Sequence, residues 1–418
     1  MPYKQLDQDS VIEYIKSVPE MKQVFSSFDN LNVSEIGDGN LNFVYNVTNN
    51  EKPKETVIVK QAVPFLRIVG ESWPLPKERM NFEIMALQHA AKYCPALVPE
   101  IYHASHEMCL IIMQNLTDHK VIRGEIIQGK YFPRLAEDTS TYMAENLFHT
   151  TDWFLDHKTK KELVGKFINV DLCKITEDFV FTNPYEKSDT NSFNPELTQE
   201  NIDFIQKDSE LKLAVAEMKY KFMNNAEALL HGDLHIGSIM ANEDETYVID
   251  PEFAFFGPIG FDIGAFIGNL IMAYFSHEHR QKLLGNEPYQ YRKWLLDTVE
   301  ATWELFEQKF DKLWADHQEK ENLPYWQYEG GKEAAAEQRK RFIRKIFSDT
   351  VGFAACKMMR RILGLAKVAD IADIEDLKER ARIERMTLKM GKQMVINRDS
   401  YSSIQELTAL AKELSPLV

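Results

Sequence analysis

Cysteine is scarce. Cys94, Cys109, Cys173 and Cys356 are the only four, and no two lie close enough for a zinc-ligand spacing or a disulfide framework. Isolated thiols of this kind are expected as buried free cysteines of a reducing compartment. An excess of positive charge is also missing. The formal net charge of −15 argues against wholesale binding to nucleic acid or to an anionic membrane. Met1-Pro2-Tyr3-Lys4-Gln5 has no apolar signal-peptide core. One long apolar run exists, Phe253 to Phe275, with Asp262 as its single charge. Pro258 and Gly257, Gly260, Gly264 and Gly268 interrupt it, so a buried loop followed by a core helix is expected rather than a membrane span. The expectation is a cytoplasmic, soluble protein with no nucleic-acid or membrane partner.

A chain of 418 residues with 44% hydrophobic content exceeds what one growing core accommodates, so two lobes are expected. A helix is read over 9–28, interrupted at Pro19. Alternating strands follow over 31–36 and 41–47, joined by Gly37-Asp38-Gly39-Asn40. Gly-x-Gly alone is a turn signal. It becomes a phosphate-covering loop only with the right sequel, because glycines let backbone amides approach an anion closely. The sequel is a third strand, Thr56 to Ala62, carrying Lys60. That lysine is either a solvated strand residue or the group that neutralises the phosphates of a nucleotide. Its partner would be a Glu on the next helix, read over 76–92; Glu83 is favoured over Glu78 for lying mid-helix, against a surface role. Between them, the loop around Trp73 is a lid, a substrate wall or a packing anchor. Strands near 100–104 and 109–113 lead to Gln114-Asn115-Leu116-Thr117, expected to link a mostly β lobe (1–117) to a mostly helical one (118–418). Helical periodicity runs over 134–155 and 197–228, then near 261–275, 288–315, 332–365, 373–396 and 401–414. The interval 166–196 reads as a loop-like insertion.

The most informative stretch is 231–252. It reads His231-Gly232-Asp233-Leu234-His235-Ile236-Gly237-Ser238, eight residues of expected turn, then Tyr247-Val248-Ile249-Asp250-Pro251-Glu252. Protein kinases present a catalytic-loop Asp, an Asn five residues on, and a metal-binding Asp after the next strand. Asp233, Ser238 and Asp250 stand at those three spacings. Asp233 can accept a proton from a hydroxyl. Asp250 and Glu252, two residues apart on a strand continuing past Ile249, would point the same way and meet one Mg²⁺. A zinc site on His231 and His235 would need a helix, which Gly232 and Gly237 oppose; His231 is expected to brace the loop. Asp262, acidic in an apolar setting, is expected to accept backbone amides of the 231–235 loop. Arg360 and Arg361 point about 100° apart on a helix, so at most one faces a given site and the other is a surface residue. A guanidinium there suits a sugar hydroxyl or a transferred phosphate.

At these residues the chain resembles the 5-methylthioribose kinases of methionine salvage. They lie in the aminoglycoside- and choline-kinase-like branch of the protein-kinase fold. The resemblance spans nearly the whole chain. It is strongest at 231–238, at Asp250-Pro251-Glu252 through Asp262, in the Trp73 loop, and at Lys357-Met358-Met359-Arg360-Arg361. Antibiotic kinases of the branch carry Asn where Ser238 stands and Asp alone where Asp-Pro-Glu stands. The resemblance implies an α+β bilobal fold with a small antiparallel-β N-lobe, and phosphorylation of the 1-hydroxyl of 5-methylthioribose using ATP and Mg²⁺. It implies ATP contacts at Gly37, Gly39, Asn40, Lys60, Gln114, Asn115, Leu116 and Asp250-Pro251-Glu252, the last stretch supplying the metal ligands Asp250 and Glu252. Asp233, Trp73 and one of Arg360 and Arg361 would meet the sugar; Glu83, His231, Ser238 and Asp262 would support the site. A homodimer is implied. A kinase for another small alcohol (an aminoglycoside, choline or homoserine) is the neighbouring reading, and a pseudokinase scaffold the distant one.

Overall fold

The structure is a computed structural model and describes residues 2–37, 41–66, 70–317 and 328–417. Asp7 opens the first helix, α1 (Gln8–Ser17). Its carboxylate accepts from the Ser10 amide at 2.9 Å, and the Ser10 hydroxyl accepts from the Asp7 amide. α1 ends ahead of Pro19, where a 3₁₀ turn (Pro19–Gln23) replaces the longer helix expected over 9–28.

Next come β1 (Leu31–Glu35), β2 (Asn42–Asn49) and β3 (Lys52–Ala62), a ribbon of β4 (Phe65–Leu66) and β5 (Gly70–Pro74), then α2 (Met80–Tyr93), β6 (Ile101–Ser105) and β7 (Leu110–Gln114). Five of these strands form an antiparallel sheet in the order β1-β2-β3-β7-β6. Successive residues of a strand face opposite sides. Val57 and Val59 pack with Val11, Ile15 and Phe25 under α1, so Ile58 and Lys60 face the helical lobe. α2 starts only at Met80, after Pro76 and a 3₁₀ turn at Lys77–Arg79, so Glu83 lies in its first turn rather than mid-helix.

The second lobe contains β8 (Lys120–Val121), α3 (Ile122–Ile127), α4 (Leu135–Phe148), α5 (His157–Lys166), α6 (Val170–Phe181), α7 (Gln199–Gln206) and α8 (Ser209–Asn224). Four short strands follow, β9 (Ala228–Leu230), β10 (Ile239–Ala241), β11 (Thr246–Val248) and β12 (Phe255–Gly257). The chain closes with α9 (Gly260–Leu283), α10 (Pro288–Asp316), α11 (Gly331–Leu363), α12 (Ala369–Ala372), α13 (Leu377–Ile396) and α14 (Ile404–Leu414). This is the α+β, two-lobed architecture expected.

Several local expectations fail for identifiable reasons. The interval 166–196 is not all loop. α6 buries Leu172, Thr176, Val180 and Phe181 at helical spacing, a signal obscured by the polar residues between them. The 197–228 pattern is two helices, because Asp208 caps a new start by accepting from the Leu211 amide at 2.8 Å. α4 stops at Phe148, and the Thr150 and Thr151 hydroxyls take the carbonyls of Leu147 and Phe148. The expected turn after Ser238 contains β10, which pairs with β11 and β8.

The apolar run is the core helix α9, buried along most of its length. Among the described residues no helix is long and apolar enough to cross a membrane. Gly260 and Gly264 let α9 touch α11. A Cβ at Gly264 would lie 2.6 Å from the Thr350 carbonyl, and one at Gly260 would lie 2.5 Å from the Thr350 amide. That close packing carries the far end of α11 against the 231–238 loop.

Candidate active site

The two lobes face each other across a cleft of about 410 Å³. Its inner walls are apolar, with Ile36, Leu41, Val44 and Ile58 from the sheet side and Met240 and Ile249 opposite. Met113 to Leu116 close one end, and Lys60, Glu83, Asp233, Asp250 and Glu252 line the other. A flat apolar slot with a charged end suits a nucleotide.

At the charged end, Lys60 Nζ donates to Glu83 at 2.9 Å and also pairs with Asp250. Burial acts against the Lys60 ammonium, but Asp250, Glu83 and Glu252 more than offset it and raise its pKa. Burial pushes the Glu83 carboxyl up to about 6. Glu78, the other candidate partner, pairs with Lys77 instead. Glu252 is buried, accepts from Asn42 Nδ2 at 2.8 Å, and is pushed up to about 8, first by burial and then by Asp250. Arg79 lies behind it, its Nε 3.8 Å from a Glu252 oxygen, and donates to the carbonyls of Leu41 and Val63 and to Asn42 Oδ1. Sequence reasoning missed Arg79, because Lys77-Glu78-Arg79 reads as a solvated charge run.

Glu83, Asp250 and Glu252 each offer an oxygen, all within 4.8 Å of one another. This donor set of hard carboxylate oxygens fits Mg²⁺. The convergence does not come from strand alternation, since β11 ends at Val248 and Asp250 is left-handed, with φ of +67°. A non-glycine residue in that conformation reverses the chain direction locally, and this brings Glu252 inward.

The 231–238 loop is held from several sides. Gly232 has φ of +85°, and a Cβ there would sit 2.1 Å from the Phe253 carbonyl oxygen. Asp262 in α9 accepts from the His231 amide at 2.6 Å and the Gly232 amide at 3.0 Å. His231 Nδ1 accepts from the Asp233 amide at 3.3 Å, so Nε2 carries the proton and donates to the Ile249 carbonyl at 2.9 Å. Likewise His235 Nδ1 accepts from the Gly237 amide at 2.9 Å, which puts the other proton on Nε2, 3.3 Å from Asp233 Oδ2. Burial pushes His235 down to about 4. Ser238 is buried, and its hydroxyl donates to the Asp233 carbonyl at 3.0 Å.

The Asp233 carboxylate meets a basic wall. Lys357 Nζ donates to Oδ1 at 2.8 Å, and Arg360 Nη2 lies 3.9 Å from the same oxygen. Burial would raise the Asp233 pKa, but Lys357, His235 and Arg361 hold it well below the carboxylate range. Arg361 turns away, donating to the Ala366 carbonyl at 3.1 Å. The expectation that one arginine would be a surface residue fails, since both are buried where α11 is embedded between neighbours. Lys357 carried no role in the sequence reading, although it lies three residues before Arg360, on the same helix face.

Other candidates lie elsewhere. Trp73 sits in β5 with its ring 6.2 Å from Phe179 of α6, in an outer groove, and does not line the cleft. Asn115 Nδ2 donates to Asn46 Oδ1 and Thr56 Oγ1, while Gln114 Oε1 accepts from the Glu100 amide, so both side chains are tied into the sheet. Leu116 lines the cleft, Pro251 is buried between the two acids, and Gly37 is next to cleft-lining Ile36. Gly39 and Asn40 lie outside the described residues.

An antiparallel lobe over a helical lobe, with a lysine–glutamate pair and converging acids at their junction, defines a kinase-like phosphotransferase. The chain belongs to the phosphotransferase enzyme family, whose model matches residues 32–301. Within it the chain is a member of the methylthioribose kinase family. It is 41% identical over 410 residues to methylthioribose kinase 1 of Oryza sativa subsp. japonica, covering 97% of this chain and 94% of that protein. It is 39% identical over 376 residues to the methylthioribose kinase of Geobacillus sp. (strain WCH70), covering 90% and 88%. Among solved structures, choline kinase from Cryptosporidium parvum Iowa II is 14% identical, with 98% and 99% coverage and a TM-score of 0.49.

Proposed function

We propose that this protein transfers the γ-phosphate of ATP to the 1-hydroxyl of 5-methylthioribose, with Asp233 as the proton acceptor. The observation that carries the reading is the setting of Asp233: an ionised carboxylate at the charged end of a nucleotide-sized cleft, beside the Lys60–Glu83 pair and three converging acids. The names of the relatives supply the sugar.

In this reading the apolar slot takes the adenine, with the backbone of Gln114 to Leu116 alongside, and Lys60 neutralises phosphate oxygens. Gly37, Gly39 and Asn40 cover the phosphates. Asp250 and Glu252 hold Mg²⁺, with Glu83 at hand to keep Lys60 in place; bound Mg²⁺ supplies charge neutralisation on the phosphate oxygens. Asp233 accepts a hydrogen bond from the sugar hydroxyl and aims its oxygen in line. As the new O–P bond forms and the bond to ADP breaks, the hydroxyl proton passes to the carboxylate. A carboxylate held at low pKa is a weak base, and it takes the proton only when bonding to phosphorus has made the hydroxyl acidic. An anomeric hydroxyl, more acidic than a simple alcohol, suits so weak a base. Arg360 is the arginine assigned to the sugar. The resemblance supports the remaining readings, a cytoplasmic homodimer with its lobes dividing near residue 117 and a part for the Trp73 loop in substrate binding.

Choline and aminoglycosides fit less well. They are cations, and Lys357, Arg360 and Arg361 surround Asp233. The test is ADP release with Mg·ATP and a panel of methylthioribose, choline, an aminoglycoside and homoserine. Turnover with methylthioribose is expected; turnover of another alcohol with none of methylthioribose overturns the reading.

A further inference from the structure

Asp233 stands on a loop with no regular secondary structure, and the terminal torsion of an aspartate is soft. A carboxylate that must aim a lone pair at a hydroxyl therefore needs its plane fixed from outside. Two donors do this, one on each oxygen. Lys357 Nζ lies 2.8 Å from Oδ1, and His235 Nε2 lies 3.3 Å from Oδ2. The Gly237 amide fixes the histidine tautomer by donating to Nδ1, so the proton toward Asp233 does not depend on protonating the ring. Lys357 is itself buried, with its ammonium 4.5 Å from the Phe261 ring centroid.

Stability is a poor reason for such a pair. Taking a lysine and an aspartate out of water costs about as much as their attraction returns, and well-packed apolar residues at both positions would serve a core at least as well. We propose that Lys357 is a positioning residue: with His235 on the opposite oxygen, it fixes the plane of the Asp233 carboxylate and aims it at the acceptor hydroxyl. This rests on the reading of Asp233 as proton acceptor.

The same geometry predicts a pH signature. The titratable and charged groups facing Lys357 are Asp233 from the loop, with neutral His235 beyond it, Asp262 from α9, and Arg360 and Arg361 from its own helix. Burial pushes Lys357 down to about 8, with Arg360 and Arg361 adding to the shift and Asp233 opposing it. Below that pH the ammonium is charged and holds Oδ1. As pH rises through it, the hold is lost and turnover falls.

Four variants of the full chain test the idea: Lys357→Met, Lys357→Arg, Asp233→Asn, and the double Asp233→Asn with Lys357→Met. Turnover is followed by ADP release, and ATP affinity separately by nucleotide binding. Lys357→Met is expected to lose about 10²-fold in kcat with ATP affinity unchanged, the lower end of what positioned proton transfer contributes. Lys357→Arg is expected to recover most of that loss and to move the alkaline limb upward, since a guanidinium keeps its charge. The double variant is expected to be no slower than Asp233→Asn alone, because a residue acting through Asp233 has nothing left to act on. A Lys357→Met enzyme within about threefold of the native kcat overturns the proposal. So does a double variant in which the two losses multiply, which would mean that Lys357 acts directly on the substrate. Should Lys357→Met not fold, Lys357→Arg decides, and an unmoved alkaline limb near pH 8 overturns the proposal. Asp233→Asn separates the two layers. Native turnover there removes the proton-acceptor reading itself, whereas a dead Asp233→Asn beside an active Lys357→Met removes only the positioning role.

Discussion

Replacing Asp262 by alanine should both destabilise the fold and slow the enzyme, and the structure sets the size of the effect. Asp262 lies in the first turn of α9 and is 1% exposed. Its two oxygens accept the His231 and Gly232 amides at 2.6 and 3.0 Å. A hydrogen bond to a charged acceptor contributes about 1.5–3 kcal/mol, and alanine would leave both amides buried and unsatisfied. Against roughly 3–6 kcal/mol of loss stands relief from burying a carboxylate, whose pKa burial has raised. A net loss of about 3–4 kcal/mol is expected, a large share of the stability of a typical domain. Asp262→Asn keeps one acceptor but turns an NH₂ toward the other amide, so about 2 kcal/mol is expected. Chemical denaturation followed by tryptophan fluorescence measures both. Because the two amides immediately precede Asp233, kcat should fall for Asp262→Asn even where the protein is fully folded. An alanine variant that loses less than about 1 kcal/mol and keeps native kcat would refute the assignment of Asp262 as the support of this loop.

Gly232→Ala should be more damaging than a typical surface change, because the added Cβ would meet the Phe253 carbonyl at 2.1 Å and the backbone is left-handed there; soluble, active Gly232→Ala protein would count against the loop geometry. Asp250→Ala should raise the Mg²⁺ concentration needed for half-maximal ADP release by at least about tenfold, and an unchanged metal titration would remove Asp250 as a ligand. Acid should destabilise the fold through three histidines whose pKa burial depresses, half-buried His89 and His235 at about 4 and buried His277 at about 3. Their folded pKa values lie below the unfolded value, so the unfolded chain binds more protons as pH falls below about 6.5, and stability is lost down to the folded values. The three histidines alone contribute a slope approaching about 4 kcal/mol per pH unit near pH 5. Glu83 and Glu252, raised in the fold to about 6 and about 8, bind protons there first and offset part of it. His277→Gln should make the acid-side fall in denaturation midpoints shallower.

Much of this architecture was legible because it rests on periodicity. Two-residue alternation marked the strands over 31–36 and 41–47, and the residue pattern of 253–275 separated a core helix from a span. The two-lobed fold and the kinase class followed from strand, glycine turn, lysine and acids in that order. What was not legible depends on residues distant in sequence or on single torsions. Asp250 reaches Glu252 through a left-handed backbone that no strand pattern announces. Lys357 meets Asp233 across 124 positions, because small residues on α9 let α11 come close. Glu83 was chosen over Glu78 for a reason the structure does not bear out. It lies in the first turn of α2, and what sets the two acids apart is that Glu78 is paired with Lys77.

Net charge and site charge point opposite ways, and the difference decides which alcohol the cleft can admit. The chain carries −15 overall, which would favour a cationic acceptor. That charge is spread over a surface where salt screens anything beyond about 8–10 Å. Around Asp233 the balance reverses. Lys357 and Arg360 lie against its carboxylate, and Arg361 and Arg123 stand close behind, with Asp370 paired to Arg123. A unit charge about 4 Å away contributes about 4 kcal/mol at the effective dielectric of a protein surface, so the near groups outweigh the distant ones. A trimethylammonium brought beside Lys357 and Arg360 would gain one carboxylate already shared and meet two like charges. A net penalty of only about 3 kcal/mol separates choline from a neutral sugar by about two decades in affinity. Competition of each alcohol against methylthioribose measures that ratio directly. A choline inhibition constant within tenfold of that for a neutral pentose would refute the charge argument.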